Sequence, residues 1–207
     1  MSRAVSLLAH YASVGAAIGE VAGMQTGLSI PGGAGEGLWL AELTPVQRML
    51  VAGPAATRTL AAAGLPTPAL FAVAPTAEAV VVQNAPRQFL VSARATAADR
   101  LPALAGAPGA LVLPIEYAEF AIGGPGWAEL VLEIATADSA AAGASAWFPT
   151  QICGIDATLC RGPGGFRVVC APAEAVWLGG ALLERVRARG GRLIGFNDFL
   201  AITETTG

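Results

Sequence analysis

Met49-Leu50-Val51-Ala52-Gly53-Pro54 and Phe120-Ala121-Ile122-Gly123-Gly124-Pro125 have the same form: an apolar run that stops at Gly-Pro. A helix-like stretch follows each, Ala55 to Gly64 and Gly126 to Ile134, and then a pair of further apolar runs. Gly permits a sharp exit from a strand, while Pro, with fixed φ and no donor, suits the first turn of a helix. A supersecondary unit that occurs twice reads as a pseudo-symmetric single domain. The predicted class is therefore α+β, one domain over 1–207 built of two repeats, about 38–104 and 115–189, each running strand, helix, hairpin, helix.

Working outward, Leu38, Leu40 and Leu43 and then Arg48 to Ala52 read as strands, and Thr57 to Ala63 as a helix ended by Gly64 and Pro66. Ala79 to Gln83 and Gln88 to Ala93 form a hairpin turned at Asn84-Ala85-Pro86, followed by a short helix from Thr96 to Leu104, punctuated by Pro102. The second unit gives a strand from Ile115 to Ile122 and a helix from Trp127 to Ile134. A hairpin of Gly154 to Arg161 and Phe166 to Ala171 turns at Gly162-Pro163-Gly164-Gly165, and a closing helix spans Ala173 to Arg189. Ser2 to Met24 shows helical spacing (Val5, Leu8, Ala12, Ile18, Val21), with glycines that split it into a short helix and a loop, and Gly27 to Gly37 reads as a linker.

Charged residues make up only 13% of the 207 residues, against 54% in the AVILMFWYC class. So little charge leaves a domain of this size short of polar cover, which points to contact with another protein. Trp39, Trp127, Trp147 and Phe148 are the interface candidates, because aromatics concentrate at interface centres. Trp147-Phe148 leads them, in a predicted loop after the Ala- and Ser-rich stretch from Ser139 to Ala146.

The formal net charge is -3, and every basic residue is Arg. Arg185, Arg187, Arg189 and Arg192 fit a helix C-terminus, where the dipole favours cations. No wider basic surface supports nucleic-acid binding, and no apolar run is long enough for a membrane helix, so a cytoplasmic location is expected. Cys153, Cys160 and Cys170 lack metal-ligand spacing and read as buried reduced thiols, with Cys160 and Cys170 on opposite strand faces.

Chemistry is sparse. The single histidine, His10, has no visible orienting partner, and no metal cluster emerges from the spacing. Glu116 and Glu119 flank Tyr117-Ala118, and Glu129 and Glu133 lie one helical turn apart; paired acids need burial to divide acid and base roles. Gly162-Pro163-Gly164-Gly165 cannot be a P-loop without a Lys, and its place between two strands makes it a turn.

With these elements placed, the sequence resembles the aminomethyltransferase-type folate-binding domain, the family of the glycine cleavage T-protein and of the sarcosine oxidase gamma subunit. The resemblance is carried by Leu7-Leu8-Ala9-His10-Tyr11-Ala12-Ser13-Val14-Gly15-Ala16 with Val21-Ala22-Gly23, and by Leu40-Ala41-Glu42-Leu43-Thr44. Val51-Ala52-Gly53-Pro54-Ala55-Ala56 and Gln88-Phe89-Leu90-Val91-Ser92-Ala93 continue it. Ile122-Gly123-Gly124-Pro125 and Pro149-Thr150-Gln151-Ile152-Cys153-Gly154-Ile155 complete it.

The resemblance implies a small, non-catalytic gamma-type subunit of a heteromeric flavin-dependent sarcosine or N-methyl amine oxidase or dehydrogenase. FAD, FMN and NAD would sit on larger alpha-, beta- and delta-type subunits, with the one-carbon unit passing to tetrahydrofolate and no cofactor bound by this chain alone. T-proteins carry a folate-binding acid ahead of the hairpin strand; here Pro75-Thr76-Ala77-Glu78-Ala79 offers only Glu78. The alternatives are a stand-alone folate-dependent one-carbon transferase using Glu78 and a folate-binding assembly factor.

Overall fold

Most of the regular structure is strand, as the short apolar runs between Gly and Pro residues require. The computed structural model describes residues 3–33, 35–99, 101, 104, 108–136, 147–162 and 165–205. In chain order the elements are β1 (Arg3–Ala4), α1 (Leu8–Ser13), β2 (Ala17–Val21), β3 (Met24–Ser29), β4 (Trp39–Glu42), β5 (Arg48–Ala52) and α2 (Ala56–Ala62). Next come β6 (Val73–Pro75), β7 (Ala79–Ala85), β8 (Gln88–Ala93), a 3-10 turn (Ala95–Ala97), β9 (Leu111–Pro114), β10 (Ala118–Gly123) and α3 (Trp127–Ile134). The chain continues through β11 (Trp147–Ile152), β12 (Ile155–Gly162), β13 (Gly165–Cys170), a 3-10 turn (Pro172–Glu174), α4 (Ala175–Ala188), β14 (Arg192–Leu193) and α5 (Phe196–Thr205).

Two compact units share these elements, one holding the described residues of 1–45, 117–143 and 148–207, the other those of 46–116 and 144–147. The first contains a three-stranded sheet, β1-β3-β2, and a six-stranded sheet, β11-β12-β13-β10-β4-β14. Register puts Ile122 between Leu40 and Phe166, and Phe120 beside Val168, itself opposite Leu159. Side chains alternate along strands, so these apolar residues share one sheet face. The same core holds Leu130, Val131 and Ile134 of α3 and Leu178, Leu182, Leu183 and Val186 of α4. Each such side chain contributes about 1.5–3 kcal/mol of transfer free energy on burial.

The second unit is built on a five-stranded sheet, β6-β7-β8-β5-β9. Val51 faces Phe89 and Val112, and Val81 faces Val91; these pairs join Ala56 and Leu60 of α2 in one core.

Each Gly-Pro strand lies in its sheet between the second strand of the following hairpin and a shorter strand from elsewhere in the chain. β5 sits between β8 and β9, and β10 between β13 and β4. Gly53 (φ +107) and Gly124 (φ +86) take the left-handed corner, and a Cβ there would fall 2.6 Å from the Gly109 carbonyl oxygen and 2.2 Å from that of Gly37. No side chain fits at either corner. Pro54 and Pro125 stand in the turn just before the helix, with Ala55 and Gly126 as the N-caps, two residues ahead of the first helical position rather than in the first turn.

Other boundaries differ from the sequence reading. Only Leu8–Ser13 of the expected N-terminal helix is helical. Ile18 and Val21 belong to a β2–β3 hairpin, whose turn Ala22-Gly23 has φ of +47° and +80°. Both values suit the two-residue type that matches strand twist. The strand expected from Ile115 to Ile122 is β10, which starts only at Ala118 and is preceded by an unexpected β9, and the 79–93 hairpin turns at Pro86-Arg87, one step later than expected. The Thr96 to Leu104 helix reduces to the turn at Ala95–Ala97, while 100, 102 and 103 lie outside the described residues, as do Ser139 to Ala146 and Pro163-Gly164. Trp147 and Phe148 open edge strand β11 rather than a loop, and β6, β14 and α5 were not anticipated.

Candidate functional site

The most polar buried point of the first unit is Glu42, the last residue of β4 and fully shielded from solvent. Its Oε1 accepts hydrogen bonds from Ser6 N (2.9 Å), Ser6 Oγ (2.9 Å) and Thr44 Oγ1 (2.8 Å), and its Oε2 accepts from Leu7 N (2.8 Å). The chain entering α1 has N–H groups without intrahelical acceptors, and this carboxylate supplies them from a distant strand. Tyr11, on α1 and also fully buried, accepts from Glu42 N (3.2 Å) and donates to the Ile194 carbonyl (3.2 Å). One phenol thus ties the first helix to β4 and to the segment after β14.

Burial pushes the Glu42 carboxyl up from its ordinary value, against the lowering effect of the Leu7 and Ser6 N–H groups and the two hydroxyls. The Tyr11 phenol is also pushed up, chiefly by burial and further by the nearby Glu42 and Asp198 charges, and stays protonated. With four donors filling its two oxygens and no exposed surface, Glu42 is built to tether chain segments. It offers no face to a substrate.

The sequence-predicted residues are scattered. Glu78 is exposed in the bend before β7; its N–H donates to Thr76 Oγ1 (3.3 Å) and its carbonyl accepts from Arg94 N (3.0 Å). Trp39 is a core residue with 3% exposure, edge-on to Phe199 at 5.9 Å, because β4 is covered on both faces. As an exposed interface anchor it is corrected. Trp127 is half-buried, edge-on to Phe166 at 4.9 Å, with the Arg161 guanidinium 5.8 Å from its ring centroid. Trp147 and Phe148 are half-buried; Trp147 N donates to the Phe71 carbonyl, and Phe148 packs on the core of the first unit.

The acidic pairs divide. Glu119 is buried and accepts from Arg167 Nη1 at 2.8 Å, whereas Glu116 is exposed. On α3, Glu133 is gripped by Arg189, the C-cap of α4, and by Arg185 Nη1 (2.9 Å), and these contacts, the Arg189 hydrogen bond first, hold its carboxyl below the ordinary value. The arginine cluster is thereby partly neutralised. His10 is half-buried on α1, where its carbonyl accepts from Ser13 Oγ. The three thiols are unpaired with one another: Cys160 and Cys170 are buried, each pushed up to about 11 mainly by burial, and half-buried Cys153 is raised for the same reason. Among the described residues no group of three or more His, Cys, Asp or Glu could hold a metal ion, and no helix is long and apolar enough to cross a membrane.

Two features escaped the sequence reading. The Glu42–Tyr11 knot joins residues far apart in the chain, with no spacing signal. The other was legible: Trp177 (56% exposed) and Val176 (70%) stand out from α4. Leu178, Leu182, Leu183 and Val186 mark the opposite, buried face at helical period.

No family model matches the sequence, and no curated protein matches it. Solved structures do. The fold is similar to glycine cleavage system aminomethyltransferase T from Bartonella henselae, with a TM-score of 0.68 and 17% identity over 96% of this chain and 61% of that one. It is also similar to a chain of heterotetrameric sarcosine oxidase from Corynebacterium sp. U-96, solved with pyrrole 2-carboxylate. That match has a TM-score of 0.58 and 25% identity over 73% of this chain and 87% of that one. The chain spans about three fifths of the aminomethyltransferase it matches. The fold is T-protein-like and related to that of a sarcosine oxidase subunit.

Proposed function

We propose that this chain is a gamma-type subunit of a heteromeric flavin-dependent oxidase or dehydrogenase of sarcosine or a related N-methyl amine. The observation that carries the reading is the 25% identity to a chain of a heterotetrameric sarcosine oxidase, over 87% of that chain. In this reading the larger alpha-, beta- and delta-type subunits hold FAD, FMN and NAD and oxidise the methyl amine, and the one-carbon unit passes to tetrahydrofolate in the cytoplasm. The chain's own residues contribute a scaffold. Glu42 is spent on four internal donors, the thiols stay protonated, and Glu78 stands in the open without an enclosing wall, so no folate-dependent step is assigned to it.

We further propose that 38–104 and 115–189 descend from one duplicated unit. The support is the matched pairing of β5 and β10 and the two Gly-Pro corners closed against Gly109 and Gly37. Co-expression with the products of its neighbouring genes tests the functional reading: a complex containing flavoprotein subunits should be recovered and should oxidise sarcosine or a related amine, and the isolated chain should not. Folate-dependent one-carbon transfer by the isolated chain, lost in Glu78→Gln, would replace this reading with the transferase alternative.

A further inference from the structure

We draw no further inference here: the strongest candidate, the exposed Val176–Trp177 patch on the outer face of α4, is an unpartnered apolar face, and nothing in the structure shows what covers it.

Discussion

At the scale of single residues, the account turns on Glu42. Four donors face its carboxylate, so replacing one oxygen by an amide sets a donor against Leu7 N–H in a fully buried site. Glu42→Gln should cost about 2–4 kcal/mol of unfolding free energy, read from urea melts at neutral pH. The pH dependence has a definite sign. A carboxyl whose native value is raised above its unfolded one binds the proton more tightly when folded, so stability is highest below the unfolded value and falls as pH rises through the native one. The difference between wild type and Glu42→Gln should therefore narrow as pH rises across that window; widening there would mean that the donors outweigh burial. The thiols give a separate check: with Cys160 and Cys170 near 11, native protein at pH 8 holds about one part in a thousand as thiolate at each. Iodoacetamide should label half-buried Cys153 first, and equal labelling of all three without denaturant would contradict the burial described.

At the scale of elements, the Gly-Pro corners are the test pieces. Gly53→Ala and Gly124→Ala each combine a left-handed backbone with a clash on a carbonyl oxygen and should cost at least about 2 kcal/mol. Gly180→Ala, in open helix, should be neutral or stabilising by up to about 1 kcal/mol. Melting both sets side by side checks the corner geometry; mild effects at Gly53 and Gly124 would refute it. Elements whose information is local were legible: α3 has the bounds read from sequence, because Leu130, Val131 and Ile134 recur at helical spacing between Gly126 and the chain's turn to Ala135. Elements defined by pairing were not. Ala22-Gly23 and Cys153-Gly154 make tight left-handed turns without the Asn or Asp that usually announces them, so β2, β3 and β11 read as helix or loop. The two-residue β14 exists through its partner β4 and has no pattern of its own. Trp39 was misplaced because a four-residue strand buried on both faces shows no alternation.

At the scale of the whole molecule, the low charge content finds only part of its explanation in the chain itself. Trp39 is in the core and Trp127 is half-covered, so the aromatic that faces solvent most fully is Trp177, one the composition argument passed over. The T-protein-like fold was legible through short motifs such as Val51-Ala52-Gly53-Pro54 because these mark backbone corners that only particular residues fit. Glu78, the residue that the resemblance offers for folate, is an exposed bend residue with its backbone groups engaged locally. Native mass spectrometry of the chain purified after co-expression with the products of its neighbouring genes tests the central claim most directly. The account predicts a single heteromeric species containing this chain and flavin-bearing larger subunits; a stable monomer of 20.8 kDa with no larger subunit attached would contradict it.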